Sequence, residues 1–372
     1  MLLNTATFTG ELTNTEQSVT FKGVLSPGVH MAQPTTPSLA RGIQPVPRRP
    51  PLTFTPANTP VDWFDGDPGC SAAWNAISVL AEVGEAQFIT TGRWLIDRID
   101  CSVVAEETAR FIQQEASHSA VHRRYNKALA AQGVPMQAAH DFAMRRFVDL
   151  QDRTSHSLIA AIALAGEQAI GELGHAVLAR PEVMEGAEEV PRTLWMWHWY
   201  EEVEHQAALH DGWVHVHGHG RDGRHLRVLG VAFLAVYLAT AWPVVTWVLR
   251  GQTSLRGWGR VLWQMFGRQG LLVGAARNLT AMLRADFHPF DMHDPVPTLA
   301  EWDGVAVKPE WERPTRKPKR HGGIDTTDLP SPGLSDWACL LGFSARSVVA
   351  GARLMWAHRR SYRLAWETKA SA

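Results

Sequence analysis

Phe111-Ile112-Gln113-Gln114-Glu115-Ala116-Ser117-His118-Ser119-Ala120-Val121-His122 is the stretch that decides the fold. Val104, Phe111, Glu115, His118 and His122 fall on one stripe at helical spacing, so acid and imidazoles face the same side as the apolar residues. Glu115 and His118 stand at i and i+3, one turn apart, where both can grip a single cation. A carboxylate turned inward with nothing positive to meet it is too costly to persist.

The same spacing returns in Glu202-Val203-Glu204-His205, where Glu202 and His205 share a face with His198 and Leu209. Two further helices offer single acids. Glu85 competes with Glu82 and is favoured by Phe88 on the same side; Glu167 competes with the pair Glu172 and His175, about 140° around the helix. Along the chain the order is Glu, Glu-x-x-His, Glu, Glu-x-x-His, the ligand pattern of ferritin-like carboxylate proteins built as four-helix bundles. The spacing alone is weak, because chance supplies about one Glu-x-x-His in such a chain and this one has three. The ordered set carries more weight. The expected metal ligands are therefore Glu85, Glu115, His118, Glu167, Glu202 and His205. Their four carboxylates suit two divalent cations, iron first, with manganese or zinc as the other choices. His122 and Glu201 are placed to orient ligands by hydrogen bonds, and Glu201 with His198 are the candidates for moving protons. Glu106, Glu107 and Glu204 read as solvent-facing charge, and the His210–His225 stretch as a solvated loop or an adventitious metal site.

Outward from these blocks the chain is a run of helices, expected near residues 71–95, 101–131, 136–152, 154–178 and 191–213. Alternating strand patterns are missing, so the fold class is all-α: a ferritin-like bundle with additional C-terminal helices, one strongly hydrophobic. Residues 1–60 are Pro-, Thr- and Ser-rich and read as a disordered arm without the features of a signal peptide; Met1 and Met31 are both candidate starts. Residues 61–300 form the metal-binding domain, 301–333 a linker, and 334–372 a C-terminal amphipathic helix. Residues 228–249 carry no charge, long enough to cross a bilayer or to form a buried helix, and 257–285 and 334–366 are amphipathic.

The chain has 372 residues with 36 Lys+Arg against 37 Asp+Glu, a balance that excludes a general nucleic-acid binder. Three cysteines without a CxxC exclude a disulfide scaffold and a zinc ribbon. The expected setting is cytoplasmic or at the cytoplasmic membrane, with a small-molecule, lipid-like substrate. Oligomeric state is not legible.

These residues resemble the bacterial family described as predicted metal-dependent hydrolases. The likeness rests on Gly84-Glu85-Ala86-Gln87-Phe88, on Phe111 through Asn126, and on Trp197-His198-Trp199-Tyr200-Glu201-Glu202-Val203-Glu204-His205. Phe287-His288-Pro289-Phe290 adds a fourth element, and the likeness covers roughly residues 45–300. Ala81-Glu82 stand where the family has a Phe-Pro pair. The resemblance implies a metal enzyme. Three functions compete: a di-iron oxidase or hydroxylase acting on an apolar small molecule, a hydrolase using metal-activated water, and a non-catalytic membrane-associated bundle.

Overall fold

The computed structural model describes residues 36–359 except 252, 269 and 321, together with all side chains in that range except those of 277 and 278. Among the described residues there is no strand, only isolated bridges pairing Arg48 with Glu312 and Phe64 with Ala187. The fold is all-α. In chain order the helices are α1 (Pro37–Ala40), α2 (Pro68–Ile96), α3 (Ser102–Ala131), α4 (Met136–Gln151), α5 (His156–Leu178), α6 (Glu189–His205), α7 (Ala208–His217), α8 (Arg221–Leu249), α9 (Leu255–Phe266), α10 (Leu271–Leu279), α11 (Pro295–Trp302) and α12 (Leu334–Ala357).

Local chemistry sets the ends of the long helices. Asp67 caps α2 by accepting from the Gly69 and Cys70 amides, with Pro68 in the first helical position, where its missing N–H costs nothing. Ser155 caps α5 by accepting from Leu158. After α3 the chain escapes through Gly133 at φ 92°, a left-handed turn that favours glycine. The expected single helix over 191–213 is instead two, broken at Gln206 and Ala207. Of the His210–His225 stretch read as a solvated loop, 210–217 belong to α7 and 221–225 open α8, with only 218–220 a turn between them; Leu209, His210, Gly212 and Trp213 share a face buried in the core.

α2, α3, α5 and α6 meet around the bundle interior. Trp74, Trp195 and Trp199 fill one end, with Trp74 and Trp195 centroids 5.2 Å apart and Trp195 stacked on Trp199 at 5.3 Å. α8, the strongly hydrophobic helix, continues unbroken through Pro243, which faces out. It buries Leu229, Phe233, Tyr237, Val245 and Val248, among others. At Gly230 its backbone lies so close to α5 that a Cβ would stand 2.3 Å from the Ala161 carbonyl oxygen. By length and composition α8 and α12 could each cross a membrane, yet half of the apolar window of α8 is buried inside the protein.

The expectation of a disordered arm fails for residues 36–60, while residues 1–35 lie outside the described residues. Ile43, Pro45, Pro47, Pro50, Leu52 and Thr59 are buried. The segment is tied down by polar anchors that a count of large apolar residues does not register: Arg49 N donates to Trp311 O at 2.8 Å, and Arg313 N to Pro47 O at 2.8 Å. The Pro-, Lys- and Arg-rich stretch before α12 is likewise stitched to the bundle, Arg316 N donating to Gln113 Oε1 at 2.7 Å.

Gly230→Ala sets two effects against each other. Alanine gains about 1 kcal/mol of helix propensity over glycine, but here its methyl meets backbone that cannot give way. The expected outcome is a net loss of about 1–3 kcal/mol in urea unfolding; a more stable variant would show that α8 and α5 are not held at this distance.

Candidate metal centre

Each of the expected ligands arrives at one place. Glu85 comes from α2, Glu115 and His118 from α3, Glu167 from α5, Glu202 and His205 from α6, and none is more than 1% exposed. They form two adjoining groups, Glu115 with Glu167, Glu202 and His205, and Glu85 with His118 and His198, whose ligand atoms within each group lie inside 4.8 Å of one another. Glu115 and Glu202 join the halves. Glu115 Oε1 is 3.1 Å from His205 Nε2 and 3.4 Å from His118 Nδ1. Glu202 Oε1 is 3.0 Å from His198 Nε2 and 3.3 Å from His118 Nδ1, while its Oε2 is 3.3 Å from His205 Nε2.

The outer bonds of the three imidazoles decide what their inner nitrogens offer. His118 Nε2 donates to Glu201 Oε2 at 3.0 Å, which leaves Nδ1 as a lone pair facing Glu115 and Glu202. His205 Nδ1 donates to Gln114 Oε1 at 3.0 Å; that amide is oriented by its own donation from Nε2 to Glu204 at 2.6 Å and to Val46 O at 3.1 Å. So His205 Nε2 is also a lone pair. For His198 the chain is longer. Ser78 Oγ donates to Asn126 Oδ1 at 2.8 Å and therefore accepts from His122 Nδ1 at 2.8 Å. His122 Nε2 then accepts from His198 Nδ1 at 2.9 Å, and the remaining His198 nitrogen points bare at Glu202. Three times, acceptor faces acceptor. Such a contact is tolerable only with a cation between, a proton or a metal.

The electrostatics call for positive charge here: although burial opposes it, Glu115, Glu201 and Glu202 hold His118 well above the ordinary imidazole range, and Glu202 and Glu115 raise His205. Burial, reinforced by neighbouring carboxylates, pushes Glu85, Glu167 and Glu115 above the ordinary carboxylate range. Burial alone would do the same to Glu202, but His205 and His198 outweigh it and hold that group well below. Burial lowers His198 to about 4, helped by His118 beside it, and pulls His122 well down. Both oxygens of Glu85, Glu115 and Glu167, together with His118 Nδ1 and His198 Nε2, are buried without a hydrogen-bond partner. Mixed carboxylate and imidazole donors in this arrangement fit divalent metal ions.

The residues expected to move protons are otherwise engaged. Glu201 takes Arg48 on Oε1 at 3.2 Å and His118 on Oε2 at 3.0 Å. His198 has its outer nitrogen on His122 and its inner one on Glu202. His122 fills the orienting position expected of it. Glu82, the alternative to Glu85, lies outside the cluster with Asn126 at 2.9 Å and Arg123 at 3.1 Å.

Two acids read as solvent-facing are buried. Glu107 is enclosed at 4% exposure, and Glu204 pairs both oxygens with Arg48, at 2.9 Å each. Arg48 is held above its ordinary pKa: burial opposes this, but Glu204 and Glu201 outweigh it. Sequence reasoning missed Arg48 because it lies in the stretch taken for an arm. The signal available was the crowding of Glu201, Glu202 and Glu204 on one buried turn, which demands a nearby cation.

The His-rich stretch does bring His210, Asp211 and His288 together, beside a cavity of about 410 Å³. There His288 Nδ1 accepts from Phe290 N at 3.2 Å, so Nε2 carries the proton and donates to Asp211 Oδ1 at 3.2 Å. His210 Nε2 and Asp211 Oδ2 beside that pair are buried without a hydrogen-bond partner.

Comparison with known proteins gives one family: a family model described as predicted metal-dependent hydrolase matches residues 46–293, well over half the chain and inclusive of Arg48 and every member of the main cluster. No curated protein and no solved structure matches the chain.

Removing Arg48 would strand Glu204 and Glu201 as uncompensated buried charges. Arg48→Ala is expected to lower unfolding free energy by about 3–5 kcal/mol, against at most about 0.5 kcal/mol for Arg49→Ala on the exposed side of the same segment, both read from denaturant midpoints.

Proposed function

From the predicted metal-dependent hydrolase family, to which this chain belongs, we propose a hydrolase whose two divalent cations are held by Glu85, Glu115, His118, Glu167, His198, Glu202 and His205. Membership makes it a metal-dependent enzyme; the number and identity of the ions and the reaction are our reading. The observation that carries it is the threefold meeting of bare imidazole nitrogen with carboxylate oxygen. When bound, such cations supply Lewis acidity that brings the pKa of a water near neutrality.

The chain's own residues do the rest. Glu115 and Glu202 span the two groups of donors and would be shared between cations held there. Glu201 acts as a positioning carboxylate, keeping the His118 proton on Nε2 so that Nδ1 stays free. His122 does the same for His198. Phe111 and Trp197, edge-on to His205 and His118, exclude bulk water from the imidazoles.

A second reading, oxidation of an apolar molecule at a di-iron centre, is favoured by one observation: the ligand set is buried to 1% exposure or less, which suits a reactant as small as O₂. Stopped-flow addition of O₂ to anaerobic Fe(II)-loaded protein distinguishes it, since it requires a transient visible absorption that hydrolysis does not.

Loaded anaerobically with Zn(II) or Mn(II), the protein is expected to turn over an ester or phosphoester, to lose this to a chelator and to regain it with metal. Glu115→Ala and His205→Ala should bind no paired metal by elemental analysis, and His122→Ala should weaken metal affinity about 10–100-fold. Fully loaded protein that hydrolyses nothing without O₂ but shows the absorption transient would replace the hydrolase reading with the oxidative one.

A further inference from the structure

α12 and α9 each carry two apolar faces, and only one of each is used inside the protein. α12 buries Leu340, Phe343, Ser347 and Gly351, seating Phe343 on Phe233 and bringing Gly351 against Val244 of α8. Its outer side repeats the apolar spacing at Leu334, Ala338, Leu341, Ala345 and Val348, with Leu341 73% exposed, and Trp356 beyond them 71% exposed. α9 buries Gly257, Val261 and Met265 and turns Leu255, Leu262, Trp263 and Phe266 outward, Trp263 73% exposed. Phe266 reaches Trp242 of α8 at 5.8 Å. At about 100° per residue, Trp242 lies on one side of Ala239, and Phe233 and Val244 on the other. The outward ridge of α8, Ala235, Ala239, Pro243 and Trp247, therefore runs between α9 and α12 and joins their exposed faces.

Charge tells what covers this surface. From Gly223 to Ala285 the chain contains no Asp or Glu but eight Arg, and from Trp337 to Trp366 again no acid but five Arg. Arg256, Arg268 and Arg353 are exposed on these elements, and Arg250 lies over the Trp247 ring at 3.7 Å. Apolar side chains with tryptophans and arginines, free of acids, complement a bilayer bearing anionic headgroups. A second copy of the chain would set arginine-bearing, acid-free faces against each other, with no acid on these segments to pair.

We propose that the outer faces of α9, α8 and α12 form one docking surface that seats the protein on an anionic phospholipid bilayer, lying in the interface and not crossing it. α9 is about 18 Å long, too short for a hydrocarbon core of about 30 Å, and its inner side is tied down by Arg260 on Asp65 at 2.9 Å. The inner side of α8 is committed to α5.

Flotation of the full chain with vesicles of phosphatidylcholine, with and without phosphatidylglycerol, tests this. The protein should float with the phosphatidylglycerol-containing vesicles, much less with phosphatidylcholine alone, and be released by high salt. Arg256→Ala and Arg268→Ala should each weaken partition about fivefold. Trp263→Glu and Leu341→Glu should abolish it while metal content and helical circular dichroism stay unchanged, which separates loss of docking from loss of fold. Three results would overturn the proposal: no flotation with either vesicle, flotation indifferent to these substitutions, or a dimer in vesicle-free buffer that Leu341→Glu splits, which would make a second copy the occupant.

Discussion

Four glutamates cannot share one dry pocket as anions without positive charge among them, and the interior of this protein is arranged around that constraint. Burial and mutual repulsion drive Glu85, Glu115 and Glu167 toward protonation, and only Glu202, ringed by imidazoles, stays well below the ordinary range. Protons can relieve the repulsion: although burial opposes it, Glu115, Glu201 and Glu202 hold His118 well above the ordinary imidazole range, and Glu202 and Glu115 raise His205. Divalent cations would relieve it through the same carboxylate and imidazole atoms.

The surrounding shell makes the inner nitrogens available. Each imidazole of the centre is held by a different outer group, Glu201 for His118, Gln114 for His205, and His122 for His198. Those groups are themselves anchored, Glu201 by Arg48, Gln114 through Glu204 and Val46, and His122 through Ser78 and Asn126. The proline-rich segment is thus a structural lid over one side of the centre. Its arginine neutralises two acids that the helix α6 could not otherwise bury, and its backbone closes the amide network behind His205.

The opposite problem governs the outside. A helix needs one apolar stripe to join a core, and α9 and α12 have a second stripe left over. Sixteen tryptophans in the chain serve both ends of this division. Trp74, Trp195 and Trp199 are fully enclosed near the centre, while Trp263 and Trp356 stand out among arginines. The same side chain therefore has two different physical jobs, and only its neighbours tell which.

The helical class and the inward convergence of the six expected ligand residues are legible in the chain, because helix periodicity is a local rule: positions three and four apart share a face wherever the helix lies. The Glu85 and Glu167 choices followed from that rule together with the apolar neighbours on the same face. What needed the folded molecule was everything set by contact between distant segments. Arg48 reaches Glu204 across 156 positions, so no window of sequence shows that its segment is a strap. His198 differs from a surface histidine only by the chain of donors running back through His122 to Ser78 and Asn126, on α2 and α3. Residues 228–249 have the same composition whether they lie in lipid or protein; Gly230 against Ala161 decided that one side belongs to the core. Local spacing fixes which side chains can act together, but burial and hydrogen-bond direction belong to the neighbours, and those exist only once the chain has closed on itself.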